Sequence, residues 1–195
     1  MFAGLRISAD LSVIGFAAVT GQMYVDKSIT LGRVLVTGAS GGVGRYAVQL
    51  AALGGARVIA AARRGDGLAE LGAHEVVFGV DGLAPVDVVV ENVGGATLVG
   101  AWAALAPGGV LQSIGWTSGE PAVLPVYATV GPAKSLVSFQ AGVDFGTDLA
   151  YLLDLVAQGR LRVDVGWRGS WQQFDDAVAA LLGRTFLGKA VLDHD

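Results

Sequence analysis

The residues best suited to chemistry sit in one stretch, Arg33 to Arg64, which reads RVLVTGASGGVGRYAVQLAALGGARVIAAARR. Gly38, Gly41 and Gly44 recur at three-residue spacing with Gly42 between them, after an apolar run and ahead of a helix-forming one. A diphosphate is a crowded dianion. Binding it without a lysine in the turn requires backbone N–H groups to come close, and glycines permit that approach. The helix opening near Gly42 adds its positive dipole end. Ser40 stands where the strict G-x-G-x-x-G pattern has its second glycine, so the turn is a variant of that pattern. Ser40 and Val43 complete the set of turn residues that would meet the ligand.

The residues after the second apolar run select among dinucleotides. A carboxylate there would accept hydrogen bonds from the ribose 2′-hydroxyl of NAD. This chain has Ala62 and then Arg63-Arg64, with no acid before Asp66. Two guanidinium groups suit a 2′-phosphate, which predicts NADP(H) over NAD(H). Ligands of open α/β sheets bind outside the carboxyl ends of the strands. That nominates two further stretches, Asn92-Val93-Gly94-Gly95 and Ser113-Ile114-Gly115-Trp116, with Asn92, Val93, Gly94, Ile114 and Gly115 as the candidate contacts.

Other chemistry is poorly served. The sequence has no cysteine and two histidines, His74 and His194, far apart in the chain. Disulfides, thiolate zinc sites and a cysteine nucleophile are therefore excluded, and no metal site is expected. Tyr127 and Lys134 lie in the region where a general acid would act, but no spacing in the sequence marks either as catalytic.

The elements that must hold these residues alternate. Expected strands are Arg33–Thr37, Arg57–Ala61, Glu75–Phe78, Val86–Val90, Val110–Ile114 and Ser135–Phe139. Helices are expected from Gly42 to the Gly54-Gly55 stop, over Gly67–Leu71, over Ala96–Leu105 ahead of Pro107-Gly108-Gly109, and over Asp148–Gln158. This order predicts an α/β fold, a doubly wound parallel sheet of the Rossmann type with six main strands and helices on both faces. Residues 160–195 form a C-terminal extension with a strand at Arg162–Trp167, a helix at Trp171–Leu182 and a strand at Gly188–Leu192. Residues 1–31 are the least legible part, with a helix over Val13–Tyr24. All 195 residues are read as a single domain.

Composition narrows the partners. The chain is 53% hydrophobic and 15% charged, with net charge −4. So low a charged fraction implies surface buried against a second copy or another domain, or a sheet covered on both faces. The negative balance disfavours nucleic acid and anionic membranes. Asn92 to Gly119 is uncharged, but Pro107-Gly108-Gly109 divides it, and neither half reaches the ~20 residues needed to span a membrane. Asp10 interrupts the apolar run near the N-terminus, so no signal peptide is expected and the cytoplasm is the expected compartment.

With these residues in view, the chain resembles the medium-chain dehydrogenase/reductase superfamily, in particular its zinc-independent quinone oxidoreductases and enoyl reductases. The pieces that carry the resemblance are VLVTGASGGVGRYAVQLAALGGARVIAAARR, LGAHEVV, VDVVVENVGG, LAPGGVLQSIG and the terminal GKAVL. The short-chain dehydrogenases share the glycine turn. They place a lysine four residues after a tyrosine, and none of Tyr24, Tyr46, Tyr127 or Tyr151 has one.

The resemblance implies NADPH binding and hydride transfer to a quinone or an activated C=C bond of a small-molecule substrate. Positions matching family cofactor contacts are Ser40, Gly41, Gly42, Val43, Arg63, Asn92, Ile114 and Phe139, the last near the nicotinamide. It also implies a homodimer paired through the edge strand 135–139. Family enzymes begin with a catalytic barrel domain, for which there is no room before Leu31. The chain therefore looks like the cofactor-binding half of such an enzyme, with a separate catalytic domain as a further expected partner. The alternative is a nucleotide-binding module or sensor without independent catalysis.

Overall fold

A computed structural model describes residues 32–139 and 146–194. The helix expected over Val13–Tyr24 lies outside the described residues. Six strands, β1 (Arg33–Thr37), β2 (Arg57–Ala61), β3 (Glu75–Val77), β4 (Val86–Glu91), β5 (Leu105–Ser113) and β6 (Ser135–Ser138), form one sheet in the order β3-β2-β1-β4-β5-β6. Every pairing in it is parallel. The order reverses between β1 and β4, which makes the gap beyond their carboxyl ends the topological switch point.

Burial on both faces explains the unbroken apolar strands. Val34, Val36, Val58, Ala60, Val88 and Val90 face α1 (Gly42–Leu53), which contributes Ala47, Val48 and Ala51 to the same cluster. Leu35, Ile59, Val89 and Leu111 face α2 (Gly95–Ala104), which contributes Leu98, Ala101 and Trp102. Burying one such side chain is worth about 1.5–3 kcal/mol, so a polar residue within either set would be costly. The outer side of α1 is covered as well. Tyr46 and Leu50 pack against Leu152 and Leu155 of α3 (Gly146–Ala157) and against Leu161.

Several expected elements differ in the structure. Gly67–Leu71 is a run of turns rather than a helix, bounded by Gly67 and Gly72 at φ +71° and +103°, with Leu68 and Leu71 anchored in the α1-side core. β3 ends at Val77, leaving Phe78 exposed. β5 starts at Leu105, before Pro107-Gly108-Gly109 rather than after it. The register jumps from Val86↔Leu105 to Val88↔Val110, so Ala106 to Gly109 bulge out opposite Asp87.

The C-terminal part stands apart from the main sheet. β7 (Val165–Ser170) and β8 (Lys189–Asp193) pair in parallel as a two-stranded sheet. Between them run a 3₁₀ turn (Trp171–Gln173) and α4 (Phe174–Leu182), where one continuous helix was expected. Ser170 and Gln173 close a capping box at the start of this segment. β7 begins three residues later than expected because Arg162 and Asp164 are engaged elsewhere, on α1.

That engagement is specific. Arg45, 5% exposed, donates from Nε to Asp164 Oδ2 at 2.6 Å, and Arg162 Nε donates to Asp164 Oδ1 at 2.7 Å. The Gln49 side chain accepts from Arg162 N–H at 2.7 Å and donates to the Arg162 carbonyl at 3.1 Å. Among the described residues, no helix is long and apolar enough to cross a membrane.

Candidate dinucleotide site

The glycine turn is built as a close contact between α1 and the end of β1. Gly38 takes φ +59°, a left-handed conformation that side chains resist, and its carbonyl accepts the Gly41 N–H at 2.9 Å. Gly44 lies on the turn itself: a Cβ there would strike the Gly38 carbonyl and come within 2.6 Å of the Ala39 Cα. Gly41 is the N-cap of α1 and makes no side-chain cap hydrogen bond, so it leaves the first-turn N–H groups uncapped. Ser40, Gly42 and Val43 are half-buried beside it. Ala39 N–H donates to the Ala61 carbonyl at 3.0 Å, which fastens the turn to the end of β2.

The other nominated stretches converge on this turn. Asn92 Nδ2 donates to the Thr37 carbonyl at 2.9 Å, and its backbone N–H donates to Thr37 Oγ1 at 2.9 Å. A Cβ built on Gly38 would lie 3.2 Å from Val93 Cγ2, so the turns after β1 and β4 touch. Gly94 lies beneath the Trp116 indole, and a Cβ on Gly115 would lie 3.1 Å from the Asn92 carbonyl oxygen. Ile114 packs on the α1-side core. Phe139, half-buried, follows β6 and donates its N–H to the Ser113 carbonyl at 3.1 Å. Gly38 to Gly44, Asn92 to Gly94, Ile114-Gly115 and Phe139 thus line one edge of the sheet.

The two arginines separate. Arg64 donates to the carbonyls of Arg184 at 2.8 Å and Phe186 at 3.5 Å, which ties it to the segment between α4 and β8. Arg63 is exposed at the end of β2 and makes no side-chain hydrogen bond or ion pair among the described residues. Lys134 points away from this edge: its ammonium donates to the Trp102 carbonyl at 3.0 Å, at the C-terminus of α2. Tyr127 is exposed, at φ +64°.

Two features went unread in the sequence. Lys189, at the start of β8, lays its side chain over the first turn of α1: a Cβ on Gly42 would strike the ammonium, with Cε 2.7 Å away. Burial pulls its pKa below the usual 10.5. A cation beside the positive end of a helix is unfavourable unless an anion joins them. The second feature is Glu91, 0% exposed at the end of β4. Its carboxylate accepts from Thr37 Oγ1 and Val93 N–H, both at 2.9 Å, and from Gly94 N–H at 3.0 Å. An acid closing the apolar run VDVVVE was the available signal. For Lys189, nothing in sequence spacing brings residue 189 to residue 42.

The arrangement fits a dinucleotide. The turn has no room for a side chain at Gly44, the N-terminus of α1 has no side-chain cap, Lys189 lies against Gly42, and Arg63 follows the end of β2.

Comparison with known proteins identifies the fold and the family. A family model described as zinc-binding dehydrogenase matches residues 71–192. A chloroplastic quinone-oxidoreductase, QR1, of Triphysaria versicolor is 26% identical over 95% of this chain and 62% of its own length. The crystal structure of AibC superposes with a TM-score of 0.81 at 31% identity, covering 92% of this chain and 53% of AibC. The crystal structure of an NAD-dependent alcohol dehydrogenase gives 0.83 at 28% identity, covering 93% of this chain and 57% of that one. The chain therefore spans only part of the length of each. On the match over residues 71–192, it belongs to the zinc-binding dehydrogenase family of the medium-chain dehydrogenase/reductase superfamily.

Proposed function

We propose that this chain binds NADP(H) along the carboxyl edge of its sheet and positions it as the reductant of a small-molecule oxidoreductase. The observation that carries the reading is Lys189, whose ammonium lies at the N-terminus of α1, against a turn stripped of side chains. A diphosphate there joins two positive features that otherwise repel. Arg63, uncommitted at the end of β2, is the group for the 2′-phosphate. When bound, NADPH supplies the hydride; the chain supplies binding and orientation. Asn92 to Gly94 and Gly115 form the wall against the ribose and ring, and Phe139 closes its far end. The substrate class we propose is a quinone or an activated C=C bond, in the cytoplasm. The zinc-independent character we propose rests on the resemblance to the zinc-independent quinone oxidoreductases.

A further wall for the substrate is proposed to come from another domain or from a second copy. β6 is an edge of the sheet, and Leu136 and Val137 on it are exposed, which supports pairing of two copies there. One observation favours a second reading, a nucleotide-binding module without its own turnover: Lys134 is spent on the C-terminus of α2, and Tyr127 is not held toward the site. Following NADPH absorbance with a panel of quinones and enones separates the two. Steady consumption supports the reductase, binding without consumption supports the module, and absence of binding refutes both.

A further inference from the structure

Glu91 is a buried carboxylate that the binding role just described does not use. Its side chain is 0% exposed, and among the described residues no cation pairs with it. Every partner that faces it is a donor: the Thr37 hydroxyl, itself turned toward Glu91 because it accepts the Asn92 N–H, and the backbone N–H groups of Val93 and Gly94. These partners come from the ends of β1 and β4, so the carboxylate is fixed in the floor of the switch-point crevice, immediately behind the Asn92–Gly94 wall. Water cannot screen a charge at that depth as it screens a surface one.

The two redox forms of the cofactor differ there in one respect. The oxidised nicotinamide ring carries a positive charge and the reduced ring carries none. A fixed anion behind the ring's wall therefore acts on one form and not on the other. Resting on the nucleotide reading above, we propose that Glu91 is a positioning and electrostatic residue that biases this crevice toward the oxidised nicotinamide, so that hydride donation from the reduced form runs toward the better-bound state. Hydrogen bonding alone would not produce this bias, because a purely structural Glu91 supports both forms equally.

The test is calorimetric titration of the whole chain with NADP+ and with NADPH. In the wild-type chain NADP+ binds at least as tightly as NADPH; NADPH binding more tightly overturns the inference without any variant. Glu91→Gln preserves an amide oxygen for the Thr37, Val93 and Gly94 donors and removes the charge. It is expected to raise the ratio Kd(NADP+)/Kd(NADPH) at least fivefold, whereas Glu91→Asp, which keeps the charge and loosens the hydrogen bonds, leaves that ratio within twofold of wild type. A Glu91→Gln ratio within twofold of wild type, or a parallel loss of both ligands in both variants, overturns the electrostatic role while leaving the nucleotide reading intact. Failure of the wild-type chain to bind either ligand refutes the nucleotide reading itself, and this inference with it.

Discussion

Asp164 holds the C-terminal extension to α1, and replacing it with alanine tests that join. The Arg45 side chain is 6% exposed and depends on Asp164 at 2.6 Å for its ion pair; Asp164 is 20% exposed and also receives Arg162. Asp164→Ala leaves a guanidinium in the interior with, among the described residues, only the Asp66 carbonyl, at 3.2 Å, as a remaining acceptor. Breaking a buried pair on one side costs about 3–5 kcal/mol, and the partial exposure of Asp164 places this one near 3 kcal/mol. For a chain of this size that corresponds to a fall of roughly 6–12 °C in Tm. Urea denaturation reads the same loss as a lower midpoint at unchanged slope. The double variant Arg45→Met/Asp164→Leu removes both charges together and is expected to recover most of the loss. Asp164→Ala also loosens the segment that delivers Lys189 to Gly42, so dinucleotide affinity falls with stability. A variant within about 0.5 kcal/mol of wild type would refute the claim that this pair fastens the extension.

Two further predictions concern the ligand directly. Lys189→Met removes a charged contact worth about 1.5–3 kcal/mol, so dinucleotide Kd rises roughly ten- to hundredfold. Because binding needs the ammonium form, and burial lowers the pKa of Lys189 from 10.5, wild-type affinity falls as pH rises toward and through that lowered value; the alkaline fall is absent in Lys189→Met. Arg63→Ala weakens NADPH about tenfold and leaves NADH unchanged, by a lost charged contact. Arg64→Ala lowers Tm through the lost Arg184 and Phe186 carbonyl contacts more than it alters the preference between the two nucleotides.

Where local signals decide, the sequence was legible to the residue. β1 and β2 begin and end where the apolar runs and flanking glycines place them, and α1 opens at Gly42. The short pitch of a parallel sheet covered on both faces leaves few alternatives for such runs. The losses came where distant contacts decide. Arg162 to Asp164 carry a strand-like pattern, yet the preceding Leu161 is buried against α1 and Asp164 answers two arginines, so the strand starts only at Val165. Pro107 reads as a helix stop, but the helix ends earlier and the proline sits in a bulge opposite Asp87. The stretches that converge in the candidate site, the turn with Asn92 and Gly115, stand out in the sequence because glycine and polar residues interrupt apolar runs. Lys189 was not, since its role depends on the extension folding back onto α1. The paired reading of Arg63-Arg64 split because Arg64 is drawn to carbonyls more than a hundred residues away.

The nucleotide assignment depends on what lies against the α1 N-terminus and the end of β2. Titration of the chain with NADPH and with NADH, followed by nicotinamide fluorescence, measures that directly. Saturable binding of NADPH is expected, about tenfold or more tighter than NADH, as one charged 2′-phosphate contact supplies. Equal affinity, or tighter NADH, would contradict the assignment of Arg63, and binding of neither would contradict the site.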